Sequence, residues 1–174
     1  MFRMILLAIL LLVGSQVRAD ERFLPYIKWL TENSELQYNG EELPTIKYLP
    51  YKWLELEVYS PETVAQAERN ESELPKIRGA YNDERNEMLL PEDFNWETSE
   101  DVIVHELVHF LQHTNGQEPE CIQELEPPAY KLHWKWVEDT GYEAEEPNWL
   151  FVFLLVMACS DHHYTVDSPP YTAQ

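Results

Sequence analysis

Near the middle of the chain His105, Glu106 and His109 stand in the order His-Glu-x-x-His. Two imidazoles four residues apart on an α-helix share a face, so both can aim at one divalent cation while the carboxylate beside the first projects next to it. Zinc held by protein ligands with one position open to water polarises a carbonyl and lowers the water's pKa toward ~7, and a neighbouring glutamate can take the proton. Such a site needs three protein ligands, so the two histidines require a partner from elsewhere. Glu126 is the first choice. It follows His109 by seventeen positions, across a turn and on a second helical pattern whose antiparallel return can bring it alongside. Glu124 is the reserve. The competing readings are two satisfied core histidines and a purely structural zinc. The second leaves Glu106 without a task, and closed sites usually take four Cys or His ligands.

The elements that must position these residues are legible on either side. Thr98-Ser99 followed by Glu100-Asp101 offers a hydroxyl cap and two acids in a first turn. Val104, Leu107, Val108 and Leu111 then recur at i, i+3, i+4 and i+7, and Ile103 and Phe110 make a second side apolar. The motif therefore belongs on a capped, central, buried helix, with His113 in its last turn. After Asn115-Gly116 a second helical pattern runs from Pro119 to Thr140 and closes at Gly141. Pro127-Pro128 interrupts it, which predicts a kink or break directly after Glu126.

Upstream, Arg22 to Leu36 has helical spacing and Asn39-Gly40 supplies a stop. Thr45–Leu49 between Pro44 and Pro50 suggests a short strand, and Lys52–Tyr59 satisfies both periods in part. Ser60-Pro61-Glu62 marks the start of a surface helix running toward Asn70. Ile77–Tyr81, the polar Asn82–Arg85 and Asn86–Leu90 read as strand, turn and strand, a β-hairpin that offers an edge to an extended substrate. The apolar stretch Trp149 to Cys159 is too short for a membrane span and is expected as a buried helix.

Residues 1–19 combine Arg3, an apolar core from Ile5 to Val13, and Val17-Arg18-Ala19 before Asp20, the pattern of a signal peptide. The expectation is an exported, periplasmic or extracellular protein with one domain over residues 20–174 and no membrane anchor after cleavage. The chain carries a net charge of −20. Such a surface repels phosphate backbones and anionic lipids, which argues against nucleic acid as a partner and is otherwise a solubility feature. Cys121 and Cys159 both follow the leader, and in an exported chain they are expected to form one disulfide.

With these residues in view, the chain resembles the gluzincin-type metallopeptidases, in particular small exported minimal versions. The matching residues are His105 to Gln112, Cys121, Glu126-Pro-Pro-Ala-Tyr130 and Cys159, and the resemblance covers roughly residues 77–160. It implies an α+β, zincin-like fold, mostly helical, with a small sheet or hairpin packed on the motif helix. It implies Zn²⁺ held by His105, His109 and Glu126, where the family's Glu-x-x-Ala falls on Glu126 and Ala129. Glu106 is then the general base, and the oxyanion donor comes from Tyr130, His133 or Tyr164. The implied activity is hydrolysis of a peptide or protein substrate, by a monomer. Two departures stand out. The prolines follow the ligand directly, and Tyr130 takes the place of the aspartate that orients a zinc histidine in larger members. Both also fit a second class, a secreted binding or inhibitory module that keeps the fold without turnover.

Overall fold

The computed structural model describes residues 20–144 apart from 60 and 73. The leader, Cys159, Tyr164 and the apolar stretch from Trp149 lie outside these residues, as does the expected disulfide's second half. The architecture is α+β. Its elements are α1 (Leu24–Asn33), β1 (Thr45–Leu49), α2 (Tyr51–Val58), α3 (Pro61–Arg69), β2 (Ala80–Asn82), β3 (Glu87–Pro91), α4 (Glu100–Thr114) and α5 (Glu126–Thr140). Short 3-10 turns precede α1 and α5, at Glu21–Phe23 and Ile122–Leu125.

The three strands lie in the order β1-β3-β2, with β1 parallel and β2 antiparallel to β3. The expected hairpin is therefore two-thirds of a sheet. Its first strand is shorter than the sequence suggested, because Ile77 to Gly79 runs into β2 without pairing, and its second keeps its length but lies one residue later. Successive side chains of a strand point to opposite faces, and β3 uses both. Met88 and Leu90, fully buried, join the main core with α1 and α4, while Leu89 joins Leu54, Val58, Val64 and Ala80 beneath α2 and α3. Lys52–Tyr59, which could have been either type, is helical because Leu54 and Val58, one turn apart, both enter this second cluster.

Every residue of α4 from Asp101 to Gln112 is buried. It packs most extensively on α5, and also on α1 and β2. The expected hydroxyl cap is absent: Ser99 occupies the position but its side chain makes no cap bond. Instead the Tyr142 hydroxyl accepts the Glu100 N–H at 3.1 Å, so the loop after α5 satisfies the first donor of α4. The opening helix likewise ends earlier than Asn39-Gly40, at Asn33, where the Ser34 hydroxyl donates back to the Leu30 carbonyl at 2.8 Å.

The largest correction concerns Pro127-Pro128. The two prolines do not break a helix but open one, since α5 begins at Glu126. First-turn N–H groups have no intrahelical acceptor, so proline costs nothing there and its fixed φ favours the start. At the other end Gly141, with φ +66°, gives the left-handed cap that the sequence promised.

Candidate metal centre

The packing of α4 on α5 brings His105, His109 and Glu126 together. Their donor atoms all lie within 4.8 Å of one another. The two Nε2 atoms are 3.1 Å apart, His105 Nε2 is 3.3 Å from Glu126 Oε2, and His109 Nε2 is 3.6 Å from Glu126 Oε1. Donors around a tetrahedral ion at ~2.0–2.1 Å stand roughly 3.3 Å apart, and these spacings lie close to that, so the cluster could hold a metal ion. Glu124, the reserve ligand, is exposed, whereas Glu126 is 4 % exposed.

Hydrogen bonding fixes which face of His109 is turned to that point. The Gln112 amide donates through Nε2 to the Leu125 carbonyl at 2.9 Å, which leaves its Oε1 to accept from His109 Nδ1 at 2.8 Å. Nδ1 therefore carries the proton and Nε2 presents a lone pair toward His105 and Glu126. Lone pairs and a carboxylate converging on one buried point are a cation's environment. Gln112 was missed as a functional residue, although it sits three positions after His109 and so on the same face.

The electrostatics follow from burial. Glu106, on the same turn, is pushed up to about 7 by loss of water, with the Glu126 charge acting in the same direction and His105 and the Tyr81 backbone amide opposing. His109 is pulled down to about 4, again by burial first. Burial also works against charging His105, but the Glu126 carboxylate, by hydrogen bond and charge, carries it above its ordinary value.

Tyr130 and His133, both on α5, border the ligands. Their rings stand 4.6 Å and 5.9 Å from that of His105. Burial, then the charges of Glu126 and Glu106, keep the Tyr130 hydroxyl protonated. His133 is 5 % exposed, with neither ring nitrogen hydrogen-bonded among the described residues. It is pushed down to about 3 by burial, then by His105 and Arg78. Its Nε2 lies 3.5 Å from Asp101 Oδ2, yet that carboxylate already faces the Arg78 guanidinium, so the imidazole stays neutral. His113, by contrast, is half exposed at the end of α4, 3.7 Å from Asp83. Asp101 reads in the sequence only as a first-turn acid, but it lies one turn before His105.

A family model matches residues 19–165, that of a domain of unknown function, DUF6647. The chain belongs to this family. No curated protein and no solved structure matches it. Among the described residues no helix is long and apolar enough to cross a membrane.

Proposed function

We propose that the chain is an exported, zinc-dependent peptidase or closely related amide hydrolase of zincin-like fold. The observation that carries this reading is the convergence of His105, His109 and Glu126 at tetrahedral spacings, with Glu106 on the same turn. Bound zinc supplies Lewis-acid polarisation of the scissile carbonyl and acidifies water. Glu106 accepts the proton of the attacking water and passes it to the leaving amine. Its raised pKa suits both roles, because a group near neutrality gives up a proton as readily as it takes one. A cation among the ligands draws that value back down, which favours the basic form before attack.

Tyr130 is kept protonated beside His105, so it serves as a hydrogen-bond donor to the developing oxyanion. His133, neutral and with neither nitrogen hydrogen-bonded among the described residues, is the second donor. The orienting role that Tyr130 cannot fill for a zinc histidine falls to Gln112 on His109. Cleavage of the leader and a Cys121–Cys159 bridge complete the proposal. The acidic surface favours cationic peptides as substrates.

The test compares zinc-loaded wild type with Glu106→Gln on a broad peptide library. Cleavage by wild type that falls by about 10²-fold or more in the variant, at equal zinc content, supports the enzyme. Equal cleavage, or none from either with zinc bound, points to a binding or inhibitory module.

A further inference from the structure

Arg78 and Gly79, on the stretch that enters β2, take no part in the chemistry above. Arg78 makes paired bonds to Asp101, Nη1 to Oδ2 at 2.9 Å and Nη2 to Oδ1 at 3.2 Å. The Asp101 side chain is 0 % exposed. Two parallel charge-assisted bonds to a side chain buried in α4 fix the backbone at 78 against the first turn of that helix. One residue on, the chain passes α4 with no room for a side chain. A Cβ at Gly79 would stand 2.7 Å from Val102 Cγ1 and 3.4 Å from both Glu106 Cγ and Leu90 Cδ2. Val102 and Glu106 are four residues apart on one helical face, so a single bare backbone unit lies across the stem of Glu106 and the side chain below it. Two residues later, the Tyr81 backbone amide favours the charged form of the Glu106 carboxylate.

We propose that Gly79, fixed by the Arg78–Asp101 pair, is a positioning residue for Glu106. Its missing side chain leaves a slot of one width for the glutamate stem and so sets where the carboxylate stands beside the three ligands. This rests on the reading of Glu106 as proton acceptor. Gly79 does not have the positive φ of Gly40, Gly116 and Gly141. Alanine is therefore allowed there by its dihedrals, and only the contact decides its effect.

The experiment uses zinc-loaded Gly79→Ala, Val102→Ala and the double variant, with kcat and KM on one peptide substrate, zinc content, and the Tm of each zinc-free protein. Gly79→Ala is expected to keep its zinc and its KM while kcat falls about 10- to 100-fold, the scale of a 1 Å misplacement. The double variant regains most of that loss, because trimming Val102 removes the closest contact. Wild-type kcat in Gly79→Ala, or losses in the double variant that simply multiply, overturns the proposal. Should Gly79→Ala not fold, Arg78→Lys replaces it: the charge stays but the paired bonds go, and an unchanged kcat contradicts the role. If wild type cleaves nothing, the assignment of Glu106 fails separately. The slot is then read from Tm alone, where rescue of Gly79→Ala by Val102→Ala supports it and additive losses refute it.

Discussion

His109 presents Nε2 to the centre because Gln112 holds its Nδ1, and Gln112 can do so because its own amide is tied to the Leu125 carbonyl. Removing that link while keeping the volume, as in Gln112→Leu, frees the imidazole to rotate and change tautomer. Zinc affinity should fall about 10- to 100-fold, measured by competition with a chromophoric chelator, with little change in zinc-free Tm. His133 gives the opposite dissociation. Its two buried nitrogens make no hydrogen bond among the described residues, so His133→Phe removes polar atoms that cost desolvation and leaves stability unchanged or raised, while cleavage falls if the ring donates to the oxyanion. A variant that loses stability and activity together contradicts that role. At this scale the sequence was most informative about the clustering of His105 and His109, since residue type and i, i+4 spacing are themselves the signal. Asp101, Arg78 and Gly79 were opaque. Their roles depend on which strand approaches α4, and no local pattern encodes that.

Among the elements, α4, α3 and β1 were legible because period, flanking prolines and first-turn acids all agreed. The start of α5 was misread, since Pro127-Pro128 has the same local chemistry whether it breaks a helix or opens one. The difference lies in Ile122–Leu125, which forms a separate 3-10 turn rather than an earlier part of the helix. The cap of α4 was missed for a related reason: its acceptor, Tyr142, is distant in sequence. If the prolines open α5, Pro127→Ala should lower stability slightly, by about 0.4–1 kcal/mol in urea unfolding, through greater freedom of the unfolded chain, and zinc should be retained. A gain in stability would mean that the proline interrupts a helix after all. Arg78→Ala tests the tie between α4 and the stretch before β2. It leaves Asp101 buried without its cation, a loss of about 3 kcal/mol or more.

Over the whole molecule, the acid limb of stability follows from histidines folded in their neutral form. His133 sits at about 3 in the fold against an ordinary 6.5, so below 6.5 the unfolded chain binds a proton that the folded one refuses. Its contribution is complete above about 6.5 and is lost as pH falls toward 3. Glu106 acts in the opposite sense between about 7 and 4.5, where the folded carboxyl holds a proton that the unfolded one has released. Zinc-free wild type and His133→Phe, unfolded in denaturant across this range, share the Glu106 effect. Wild type should therefore lose stability relative to the variant as pH drops, and parallel curves would contradict a buried neutral His133. The coarse α+β class was readable from the order of patterned segments, but the parallel pairing of β1 with β3 was not, because it joins segments separated by two helices and a strand. The central claim is that this architecture exists to bring His105, His109 and Glu126 around one zinc ion. Metal analysis of protein purified without chelators tests it most directly: about one zinc per chain is predicted in wild type, lost in both His109→Ala and Glu126→Ala, and zinc that is absent from wild type or unchanged in either variant contradicts it.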